Sequence, residues 1–176
     1  MENRFIHQIQ EVVSTLNDAN LPFALIGGLA LASHKVVRAT QDIDLLVDAN
    51  DADRIATLLA KLGYHCLHRS ADAGNHLRGD ERVDLLYASR PVARHLLKTA
   101  PAQETSFGKL RVVSTEGLIG FKLQAIVNDP RRIRDLDDIR ALMRENRDSI
   151  NQTELREYFK LFNREPLLDE LLNEIK

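Results

Sequence analysis

RATQDIDLLVD, residues 38–48, decides how the rest of the chain is read. Ile43, Leu45, Leu46 and Val47 make an apolar run suited to a buried strand, yet Asp42 and Asp44 interrupt it. Side chains alternate along a strand, so the two aspartates share one face and Ile43 and Leu45 the other. Two like charges then stand about 7 Å apart on one face. Unpaired buried carboxylates cost several kcal/mol each even after relaxation. Three arrangements relieve that cost: protonation, pairing with Arg or Lys, or a bound cation. An all-oxygen donor set suits a hard ion such as Mg²⁺. Asp84 in ERVDLLY interrupts a second apolar strand in the same way and is the candidate third carboxylate. The structural alternative is that the aspartates cap turns or pair with Arg38 or Arg82.

The surroundings of the acidic strand add to the pattern. LPFALI (21–26) reads as a short buried strand, broken by Gly27-Gly28, with a helix opening from the glycines over LALASH. Backbone N–H groups at such a start can meet a phosphate without interference from a Cβ atom. Arg38 could bind phosphate or neutralise the aspartates, and Thr40 could order the turn through its hydroxyl. Lys122 falls in the apolar stripe formed by Leu118, Ile119 and Ile126, where it needs a phosphate or carboxylate partner or must reach out along the stripe's edge. Asp135 and Asp138, three apart on one helical face, are positioned to pair with it. PRRIR (130–134) is a small basic cluster that reads first as the start of a solvated helix, with contact to RNA or a triphosphate as the alternative.

IGGLALASHKVVRATQDIDLLVD, with EGLIGFKLQAI and RDLDDI further on, resembles the nucleotidyltransferase superfamily of the DNA polymerase beta type. Its R-x-T-x-D-I-D-L form is most similar to the AbiEii-like toxin and minimal nucleotidyltransferase group. The resemblance touches most of residues 21–140. It implies a nucleotidyltransferase fold in which Asp42, Asp44 and Asp84 hold Mg²⁺ or Mn²⁺ and serve catalysis. It also implies phosphates of a nucleoside triphosphate on Gly27 and Gly28, with Arg38 and Lys122 as further contacts. The implied reaction passes a nucleoside monophosphate to an acceptor hydroxyl on RNA, protein or a small molecule, in a toxin–antitoxin or defence setting with a partner protein. Many members carry Ser after the first glycine, to touch the terminal phosphates; this chain has Gly28 there. Two rivals stand beside this reading: a catalytically silent binding module, such as an antitoxin acting through a protein partner, and an unrelated domain with capped, paired aspartates.

Around these motifs the chain reads as α+β. Helices are expected over 4–17, 55–62, 91–98, 115–127, 133–145, 153–162 and 166–175. YHCLHR reads as a strand, NHLRGDERVDLLYA as a hairpin turning at Gly79-Asp80, and ETSFGKLRVVS as a second hairpin around Gly108. Antiparallel hairpins with few crossovers favour a mixed sheet flanked by helices over a doubly wound one. The expected organisation is a core over 1–113 and a helical part over 114–176 packed on it. The 24 basic and 26 acidic residues nearly cancel, which supplies no global attraction to nucleic acid or anionic membrane. One cysteine, Cys66, excludes an internal disulfide. With no signal-like or membrane-spanning run, the expectation is a cytoplasmic protein with no membrane association. His65, Cys66 and His68 lack a second ligand pair at zinc-finger spacing. Neither a Walker-type loop, nor a dinucleotide fingerprint, nor a G-x-S-x-G elbow occurs.

Overall fold

A computed structural model describes residues 2–175; Met1 and Lys176, the two ends of the chain, lie outside the described residues. The chain forms two compact units. The first comprises 1–33 and 38–113, and the second 34–37 and 114–176.

The first unit holds a five-stranded sheet in the order β1-β2-β5-β4-β3. Its strands are β1 (Phe23–Leu25), β2 (Asp42–Asp48), β3 (His65–Arg69), β4 (Ala73–Arg78) and β5 (Glu81–Ala88). The sheet is mixed: β2 and β5 run parallel, and the remaining neighbours are antiparallel. Four helices accompany it: α1 (Glu2–Asp18), α2 (Gly27–Ser33), α3 (Ala52–Lys61) and α4 (Pro91–Thr99). The hairpin β6 (Ala102–Thr105) with β7 (Gly108–Arg111) completes the unit, and Val112 bridges to Leu25 at the sheet's β1 edge. α3 starts three residues earlier than its apolar run suggests, because Asp48 accepts a bond from the Asn50 amide and starts a short 3-10 turn (Ala49–Asp51) that leads into it.

Alternation in β2 and β5 divides the sheet into two unlike faces. Ile43, Leu45, Val47, Val83 and Leu85 are fully or almost fully buried on one face, with Ile9, Val12 and Leu16 of α1 and Ile55 and Leu59 of α3 in the same core. Arg78 ties this side together. Its guanidinium donates to Glu11 of α1, Glu81 of β5 and the Leu62 carbonyl past α3, and it lies over the Tyr64 ring. The opposite face carries Asp42, Asp44, Arg82 and Asp84.

His76, on β4, points into the apolar core and is 1% exposed. Burial holds its imidazole below the ordinary histidine range, against smaller opposing pulls from the Val83 backbone and Asp84. The folded chain therefore favours the neutral ring, while the unfolded chain takes up a proton as pH falls through about 6.5. More protons on the unfolded state mean that stability falls with pH below that point. Thermal melts between pH 8 and pH 5 should show that decline in the wild type, and His76→Leu should flatten it.

The second unit is helical, with α5 (Thr115–Asn128), α6 (Ile133–Glu145), α7 (Gln152–Leu161) and α8 (Glu165–Glu174). Ser114 caps α5 and Asn151 caps α7 through their side-chain oxygens. Residues 34–37 join this unit through His34: its ring bonds the Thr115 hydroxyl at 2.9 Å, and its carbonyl accepts from Asn146 at 3.0 Å. Leu118, Ile119, Leu123, Ile139, Leu142, Met143, Leu155 and Phe159 form its core. No helix among the described residues is long and apolar enough to cross a membrane.

Candidate active site

Register brings the acidic residues together. In the parallel β2/β5 pair Asp44 lies opposite Asp84, and Asp42 opposite Arg82. Directly paired residues point to the same face, so Asp42, Asp44 and Asp84 project from one side of the sheet on adjoining strands. The row continues into β4, where Asn75 pairs with Asp84 and its side-chain amide donates to Asp84 Oδ1 at 2.8 Å. Arg82 Nε stands 3.8 Å from Asp42 Oδ1, with both side chains about half exposed (46% and 50%). That is a loose, solvated ion pair, weak by the standard of surface pairs, and leaves Asp42 able to change partner.

The glycine turn sits against these carboxylates. The Ile26 amide donates to the Asp44 carbonyl at 3.1 Å, which pins the end of β1 to β2. Gly27 has φ +62°, and a Cβ atom on it would lie 2.0 Å from Asp44 Oδ2. Any side chain there is excluded twice, by the backbone conformation and by the Asp44 carboxylate. The structure also accounts for Gly28. A Cβ atom there would stand 2.7 Å from the Thr40 Cβ and 2.8 Å from its Oγ1, so Thr40 fills the space a serine would need. Thr40 in turn donates to the Asp42 carbonyl at 3.4 Å, a long bond across the entry to β2. Gly28→Ser should therefore lower the melting temperature, and pairing it with Thr40→Gly should recover most of the loss. Differential scanning fluorimetry of the single and double variants beside Thr40→Gly alone separates the clash from any effect of the new hydroxyl.

Arg38 lies on the exposed segment that leads to Thr40. Lys122 belongs to the second unit, where its ammonium donates to Asp135 at 3.0 Å and Asp138 at 2.6 Å. All three side chains are about nine-tenths buried, so this arrangement joins α5 to α6. Burial alone would raise the Asp135 carboxyl, but the Arg132 guanidinium and the Lys122 ammonium outweigh it and hold it below the ordinary range.

The donor set fits a hard divalent cation in kind: three carboxylates, all oxygen, from neighbouring strands. Among the described residues no three acidic, imidazole or thiol groups are already gathered closely enough to hold an ion. Asn75 engages one oxygen of Asp84 and Arg82 faces Asp42. With strands about 4.8 Å apart, turning side chains rather than moving backbone would bring the oxygens together. Arg82 is one of the two arginines the sequence offers as partners of the aspartates, and it faces Asp42. Asn75 carried no signal in the sequence, because it becomes a neighbour of Asp84 only through strand pairing.

A family model described as the nucleotidyl transferase AbiEii toxin of type IV toxin–antitoxin systems matches residues 14–176. No curated protein matches the chain by sequence. Among solved structures, the antibiotic-resistance factor ANT(2'')-Ia shares 17% identity over 100% of both chains, with a TM-score of 0.70. The nucleotidyltransferase toxin MenT4 from Mycobacterium tuberculosis shares 16% identity over 88% of this chain and 62% of its own, with a TM-score of 0.57. The lincosamide antibiotic adenylyltransferase LnuA, solved with lincomycin bound, shares 14% over 74% and 91%, with a TM-score of 0.55. At such identities the likeness speaks for the fold, which is that of the nucleotidyltransferases.

Proposed function

The chain belongs to the AbiEii nucleotidyltransferase toxin family, and from that premise we propose that it moves a nucleoside monophosphate from a nucleoside triphosphate to an acceptor hydroxyl on RNA, protein or a small molecule. One observation carries the proposal: Asp44 and Asp84 are paired in register, Asp42 shares their face, and Gly27 leaves its side-chain volume to the Asp44 carboxylate.

Asp42, Asp44 and Asp84 would hold Mg²⁺ or Mn²⁺. When bound, such an ion supplies charge neutralisation for the triphosphate and lowers the pKa of an oxygen that it touches. The chain's own residues do the rest. Gly27 and Gly28 leave the backbone open to phosphate oxygens, and Arg38 is a guanidinium contact for them. In the transfer, the acceptor oxygen bonds to the α-phosphorus as the bond to the α–β bridging oxygen breaks. Pyrophosphate departs, and the acceptor proton passes to a carboxylate, for which Asp84 is the candidate. A cytoplasmic setting and a partner antitoxin complete the reading.

Incubating the protein with α-labelled ATP, CTP, GTP and UTP, Mg²⁺ and total cell extract tests it directly. The expected result is label on one class of acceptor, lost with Asp42→Asn and with Asp44→Asn. Nucleotide binding that needs the aspartates, with no label on any acceptor, would replace the enzyme reading with that of a binding module.

A further inference from the structure

Asp84 has a neutral partner that donates to it directly. Asn75 stands opposite it on β4, and the amide-to-Oδ1 distance of 2.8 Å is that of a well-formed hydrogen bond. Asn75 is half-buried, as is Asp84, so the bond is partly shielded from water. A carboxylate on a strand turns freely about its last torsion unless something holds it. Here one oxygen is held, which restrains how the group turns and directs Oδ2 to a cation or an acceptor proton.

We propose that Asn75 is a positioning residue for Asp84, acting on metal binding and transfer through that carboxylate alone. This rests on the role proposed for Asp84 in metal binding and proton transfer. Outer partners of metal-binding carboxylates generally contribute about 10- to 100-fold in metal affinity or activity, and Asn75 occupies such a place in the sheet. The bond also explains the choice of residue. Leucine or valine would suit the strand better on propensity alone, whereas asparagine adds a donor without adding charge to a face that already has three acids.

The test is a double-mutant cycle on the full chain. Mn²⁺ is titrated by electron paramagnetic resonance with methylene-bridged analogues of the four nucleotides, alongside the labelling assay. Asn75→Leu should weaken Mn²⁺ binding and slow labelling by about 10- to 100-fold, with the melting temperature nearly unchanged. In an Asp84→Asn background the same substitution should cost nothing further, because its route of action is gone. Should Asn75→Leu fold poorly, Asn75→Ala makes the same comparison with a smaller side chain. A full additional loss in the Asp84→Asn background, or wild-type behaviour of both Asn75 variants, would overturn the proposal. If Asp84→Asn itself leaves Mn²⁺ binding and labelling intact, the role of Asp84 fails instead, and with it the premise on which Asn75 acts.

Discussion

Asp44→Asn is expected to reduce nucleotide transfer by about 10³-fold or more while leaving the chain folded. Asp44 is central in the row: it pairs with Asp84 across β2/β5, lies two residues from Asp42, and rests against Gly27. Asparagine keeps the shape that Gly27 accommodates and removes only the charge. Loss of transfer would thus be traceable to charge rather than to packing. Without metal, the variant should stay folded, since the substitution keeps the side chain's shape and lessens the repulsion between neighbouring carboxylates. Addition of Mg²⁺ and nucleotide should stabilise the wild type by mass action and the variant far less. Fluorimetry with and without ligand, together with labelling, reads all three quantities. Transfer at wild-type rate by Asp44→Asn would remove the acidic strand from the chemistry.

Lys122→Met is expected to destabilise the chain by about 3–5 kcal/mol, the range for breaking a buried ion pair from one side. Methionine replaces the volume but leaves Asp135 and Asp138 without the ammonium that sits 3.0 and 2.6 Å from them. Arg132 still reaches Asp135, which softens the loss on that side. Replacing Lys122, Asp135 and Asp138 together by apolar or neutral residues of similar size should recover much of the stability, because none of the three charges then remains stranded. The depressed Asp135 carboxyl adds a pH signature. Its contribution to stability is present at neutral pH and disappears as acid protonates it. Urea denaturation of the single and triple variants at pH 7 measures the difference.

The sequence made most of the local structure legible because its signals are local. Ser114 announces α5, Pro91 marks the start of α4, and Gly79-Asp80 turns the β4/β5 hairpin, each by chemistry confined to a few residues. The acidic face of β2 was legible for the same reason, since alternation needs no knowledge of the partner strand. What could not be read is pairing. Nothing local to β2 specifies that it lies parallel to β5, or that Asp44 rather than Asp42 stands opposite Asp84. Asn75 was hidden because its role arises from a cross-strand contact. The reason for Gly28 was hidden too, because the atom that excludes a side chain there belongs to Thr40, twelve positions on.

Interleaving of core and acid along β2 limits how this segment can evolve. Ile43, Leu45 and Val47 point into the hydrophobic interior while Asp42 and Asp44 point away from it. Deleting or inserting one residue ahead of the strand would invert every side chain in it. The acids would then enter the interior, while Ile43, Leu45 and Val47 would turn to the face that now carries Asp42, Asp44 and Leu46, so such a lineage would lose its fold before it could test an altered chemistry. Change along this stretch is thereby confined to replacement in place, and the spacing of the acids is protected by the requirements of folding as well as by any demand of catalysis.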